Sequence, residues 1–169
     1  MKQFLSKCSF VIDAYTDRLG ESVAWLTTVL MILICTDVFL RYLLSSTKTW
    51  IIELEWHLFS LIFLFGAAYS LLHDQHVRVD VFYEKFSKNK KRWINIFGMT
   101  IFLIPWTIVV LQTSWDYAIN SWSFREGSSQ PNGLPARYVI KFCIFLGFAV
   151  LLLQAISQLI KSTVRRNKD

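Results

Sequence analysis

The sequence predicts an all-α membrane protein. It has four transmembrane helices, both termini cytoplasmic, and amphipathic surface helices before the first span and after the second. Three observations carry this. Hydrophobic residues make up 54% of the 169 and charged residues only 18%, more apolar surface than a soluble domain of this size could bury. Four runs approach the roughly 20 residues that one helix needs to cross a bilayer core, and charge is nearly absent from them. The basic residues are also unevenly shared. With four spans, the termini and the 73–93 segment fall on one side, and the other side holds only Arg41, Lys48, Arg125, Arg137 and Lys141 of the 18 Lys and Arg. By the positive-inside rule the richer side is cytoplasmic.

Residues 1–20 lack a long apolar core, so a cleaved signal peptide is not expected. Phe4, Leu5, Cys8, Val11, Ile12, Tyr15 and Leu19 recur at helical spacing, with Lys2, Lys7, Asp13, Asp17 and Arg18 mostly opposite. That pattern predicts a helix lying on the membrane surface. The first span follows over about 22–44. Its uncharged part is too short alone, so Asp37 and Arg41 must enter the far interface, where their spacing of four lets them pair. The second span, about 51–72, opens with Glu53 and Glu55 and ends at His73. Gly66, Ala67 and Ser70 give it a smooth face that another helix can approach closely.

Val79, Phe82, Tyr83 and Phe86 form an apolar stripe that predicts the second surface helix. The third span covers about 93–117, and Pro105 near its middle removes a backbone hydrogen bond and predicts a kink. Gly, Ser, Pro and Asn between Asn120 and Pro135 predict the longest loop. The fourth span covers about 138–160, where Gln154, Ser157 and Gln158 are suited to hydrogen bonds with a neighbouring helix. Residues 1–169 thus read as one integral membrane domain.

The net charge of +6 is explained by span-flanking bases and needs no nucleic acid. Cys8, Cys35 and Cys143 are odd in number and widely spaced, which indicates neither a disulfide framework nor a zinc site. The sequence has no phosphate loop, no HExxH and no nucleophile elbow. His73 and His76 with Asp74 and Asp80 are more simply read as solvated groups than as metal ligands. His57, His73 and His76 all belong to the second span or its exit, so a bis-histidine haem between helices is not expected. The middle of every span lacks an acidic or basic side chain, whereas pumps and exchangers place carboxylates there. No enzymatic activity, cofactor or metal is expected, and the chain alone is poorly equipped to transport anything.

Glu55, the apolar stretch Phe59–Gly66 and the exit His76-Val77-Arg78-Val79-Asp80-Val81 resemble the small, DctQ-like membrane subunit of tripartite ATP-independent periplasmic (TRAP) transporters. The end of the first span at Asp37 and Arg41, and Gly133-Leu134-Pro135 before the fourth, also resemble it. The likeness covers essentially the whole chain, and the H-x-R-x-D exit is its most specific part. It implies a multi-pass protein of the bacterial inner membrane that serves as the scaffold of a sodium-driven, binding-protein-dependent symporter for an organic acid or similar solute. Its partners would be the large membrane subunit, the periplasmic substrate-binding protein and membrane lipids. The structural or subunit-interface candidates are Asp37, Arg41, Glu55, Gly66, Ser70, His76, Arg78 and Asp80. Two rival readings stand beside this one. A membrane anchor of a redox enzyme predicts a haem absorption band, and a self-sufficient four-helix exporter predicts transport by this chain alone.

Overall fold

Long apolar runs with few helix breakers give long helices. The computed structural model describes residues 2–73 and 86–165. Helix α1 spans Lys2–Leu43 and α2 spans Thr49–Leu72. Helix α3, Lys88–Gly98, passes through a π-helical turn, Met99–Leu103, into α4, Ile104–Ser123. Helix α5 spans Tyr138–Arg165. Among the described residues, four stretches are long and apolar enough to cross a membrane: Phe4–Leu43, Thr49–Leu72, Asn89–Ser123 and Tyr138–Thr163. No strand occurs among the described residues.

Two expectations are corrected. The helix before the first span is not a separate element, because α1 runs unbroken for 42 residues, about 63 Å at 1.5 Å per residue. Gly20 does not open a turn. It serves a close approach instead: a Cβ there would lie 2.0 Å from Cδ2 of Tyr69. The first half of α1 also turns its small and polar face, Ser9, Thr16 and Gly20, inward, while Phe4, Phe10 and Val11 face outward. The third apolar stretch is longer than expected at both ends. Ser87 caps α3 by accepting from the Lys90 amide, and α4 continues to Ser123, so the loop begins at Phe124. The second surface helix, with His76, Arg78 and Asp80, lies outside the described residues.

Pro105 is accommodated by the helix type around it. It occupies the first turn of α4, where a missing N–H costs little, directly after the π-helical turn. The wider π turn absorbs the ladder defect that a mid-helix proline would otherwise create.

Helix α5 is central and packs against α1, α2 and α4, while α1 and α2 pair with each other. Ala68 and Leu71 of α2 meet Val150, Leu151 and Ala155 of α5 in a small core. Gly147 lets the helices close up, since a Cβ there would stand 2.8 Å from Cβ of Leu64. Small residues at such crossings are expected where dispersion, and not water exclusion, holds helices together.

Polar ties secure the end of the bundle that holds the chain termini. Asp13 Oδ1 accepts from Ser157 Oγ at 2.7 Å and from Gln154 Nε2 at 3.1 Å, and its other oxygen pairs with Lys161. Gln158 donates to the carbonyls of Leu71 and Leu72, satisfying groups that the end of α2 leaves open. Arg92 does the same for the Ser162 carbonyl on α5. His73 Nε2 lies 2.9 Å from Asp17 Oδ1, joining α2 to α1. The expected stripe of Gln154, Ser157 and Gln158 therefore bonds to helices of its own chain.

Candidate functional site

The opposite end, where α1 meets α2 and α4 meets α5, concentrates the charged groups of the spans. Helix α4 ends there in a Schellman turn. The Arg125 amide donates to the Trp122 carbonyl and the Glu126 amide to the Ser121 carbonyl, both at 3.0 Å. Arg125 takes the left-handed conformation, φ 46°, that this turn needs. The turn aims the Glu126 carboxylate back at the bundle, where Ser121 Oγ donates to it at 2.7 Å and Lys141 also donates. The Lys141 hydrogen bond, with that from Ser121, holds the Glu126 carboxyl below the usual carboxylate range.

The loop then folds back on itself. The Ser128 amide donates to the Leu134 carbonyl at 3.1 Å and the Arg137 amide to the Glu126 carbonyl at 2.8 Å. Into this closed loop α2 inserts Glu53, which is buried. Glu53 Oε2 accepts from the Leu134 amide at 2.6 Å, and Oε1 accepts from Ser128 Oγ and, at 3.5 Å, from Arg137. Gly133 leaves room for this, since a Cβ on it would meet Ser128 Oγ at 2.2 Å and Glu53 Oε2 at 2.8 Å. A buried carboxylate is tolerable here because charge-assisted donors surround it. Its chemical work is to clamp the α4–α5 loop onto α2.

A second acidic group lies between α1 and α2. Asp37 is almost fully buried and pairs with Arg41, whose side chain is about half exposed, as their spacing predicts. Glu55 is within electrostatic reach of both. Arg41 bonds to Asp37, and Asp37 Oδ1 and Glu55 Oε1 are both buried without a hydrogen-bond partner. The structure brings together Asp37, Arg41 and Glu55 of the candidates. Gly66 and Ser70 lie apart on α2, half-buried, and no other atom comes within 4 Å of a Cβ built on Gly66.

Glu53 is the residue that sequence reasoning passed over in favour of Glu55. Two positions apart, they point to different sides of α2. The available signal was the Gly133-Leu134-Pro135 segment, whose bare amide and missing Cβ suit a carboxylate.

A family model described as tripartite ATP-independent periplasmic transporters, DctQ component, matches residues 30–165. The match takes in Asp37, Arg41, Glu53, Glu55 and the clamped loop. No curated protein matches the chain.

Proposed function

This chain belongs to the DctQ component family of the tripartite ATP-independent periplasmic transporters, and on that premise we propose that it is the fixed scaffold beside the large transporting subunit. The carriage of an organic acid or similar solute, driven by sodium and supplied by a periplasmic binding protein, belongs to that partner. Both termini face the cytoplasm of the cell carrying this inner-membrane protein, in keeping with the distribution of basic residues.

One observation carries the scaffold reading within the family. The helices are fastened to each other at both ends, by Asp13 and Gln158 at one and by Glu53 at the other. A bundle tied in this way resists the sliding that a moving transport domain requires. The Asp37, Arg41 and Glu55 group supports a role for this end in assembly. A basic side chain from the large subunit would meet the two unsatisfied oxygens and complete the pairing. Gly66 and Ser70 offer the second contact, a smooth strip against which a partner helix packs.

The deciding experiment is purification of the tagged chain from its own membranes. The expected result is co-purification of a much larger membrane protein, with lower yield of the complex for Glu55→Ala. Reconstituted alone, the chain leaves solute gradients unchanged. Accumulation of solute by the chain alone would overturn the proposal.

A further inference from the structure

Helices α2 and α4 both lean on α5, and they leave a cleft of about 500 Å³ between them. Phe59, Phe63 and Leu64 form its α2 wall, and Ile140 and Ile144 form its floor on α5. Phe59 and Phe63 are largely exposed, so the cleft opens sideways, toward the surroundings of the bundle. At the loop end its character changes, and Arg137, Lys141, Glu126 and Tyr117 close it.

The charges at this head are unequally satisfied. Lys141 is bonded to Glu126 and lies 3.9 Å from the Tyr117 ring centroid. Glu126 is answered by Lys141 and Ser121. Arg137 is different. It touches Glu53 only at 3.5 Å, stands over the Trp56 ring at 5.7 Å, and its Nε is buried without a partner. A guanidinium with unused donors matches the paired oxygens of a phosphate ester.

We infer that this cleft is a phospholipid site, with the headgroup phosphate on Arg137 and one acyl chain against Phe59, Phe63 and Ile144. The order of polarity along the cleft, charged at the loop end and apolar toward mid-helix, is the order along a phospholipid standing in its leaflet. Its volume falls within the range of small-ligand sites, roughly 300–1,000 Å³. A membrane-spanning helix, about 10–12 Å across with its side chains, needs a longer and wider bed. Trp56 at the headgroup level completes the match, since indole rings favour that depth. The inference rests on the cleft itself and stands whether or not the chain is a scaffold.

The test is native mass spectrometry of the full chain released from nanodiscs of phosphatidylethanolamine and phosphatidylglycerol. One phospholipid per chain should survive release. Arg137→Gln should lower the retained fraction by about tenfold or more, as loss of a charge-assisted hydrogen bond implies. Ile144→Trp, which fills the floor and leaves the loop alone, should do the same, and it decides the matter if Arg137→Gln fails to fold. Diacylglycerol with the same chains should not be retained, and excess inorganic phosphate should not displace the lipid. Equal retention by both variants, equal retention of diacylglycerol, or displacement by phosphate alone would each overturn the site. So would a cross-link from Ser60→Cys to a segment of the large subunit lying in the cleft.

Discussion

The Leu134 amide donates to Glu53 Oε2 at 2.6 Å across 81 residues of sequence. This bond and that from Ser128 fix the α4–α5 loop to α2. Replacing Glu53 by Gln keeps the shape but turns one acceptor into a donor facing donors. Hydrogen exchange at the Leu134 amide should then speed up on the order of tenfold, as loss of a bond to a charged acceptor implies. Glu55→Gln, two residues away, should leave that amide unchanged. Equal effects of the two variants would show that the clamp is not specific to Glu53.

Gly20 and Tyr69 make a close crossing of α1 with α2. Gly20→Ala forces the Tyr69 ring or the helix to shift, and overpacking of this kind costs about 1–3 kcal/mol. The melting temperature in detergent should fall. Gly20→Ala combined with Tyr69→Leu should recover part of the loss, because the two changes share one contact. Simple additivity of the two effects would contradict the crossing.

Arg41 is the near partner of the buried Asp37. Arg41→Ala strands that carboxylate, at a cost of about 1–3 kcal/mol, toward the lower end because water reaches Arg41. Asp37→Asn removes the charge and keeps the shape, so it should lower the melting temperature less. The reverse order would mean that Arg41 is held by something other than Asp37.

Glu126 links stability to pH. Its carboxyl is held below the ordinary range by Lys141 and Ser121. A carboxyl with a depressed folded value contributes stability that is present above its unfolded value, about 4.3, and is lost as pH falls through the lower folded value. Thermal unfolding followed from neutral pH downward should therefore show a loss below the ordinary carboxylate range that Glu126→Gln does not share. Identical profiles for the two proteins would remove Glu126 as the cause.

The four apolar helices were legible because their signal is local, with uncharged runs between clusters of bases. The Asp37 and Arg41 pair was legible for the same reason, its spacing of four. The unbroken course of α1 was not, because the amphipathic pattern from Phe4 to Leu19 reads as a separate surface helix until Tyr69 is seen packed on Gly20. The longer third helix was hidden by an apolar count that ends before the polar turns at Asn120 and Ser121, yet the Schellman turn keeps them helical. The Glu53 clamp was hidden most deeply, since its partners lie 75–84 residues downstream and include a backbone amide that no side-chain pattern marks.

That separation bears on how the protein is made. Glu53 leaves the ribosome well before Ser128, Leu134 and Arg137 exist, so α2 must enter the bilayer with its carboxylate still unanswered. Until Ser128, Leu134 and Arg137 are translated, that acid keeps the mouth of α2 at the water's edge. Closure of the loop over Glu53 is therefore a finishing step of biosynthesis, and a chain truncated before Leu134 should be recognised by membrane quality control as incomplete.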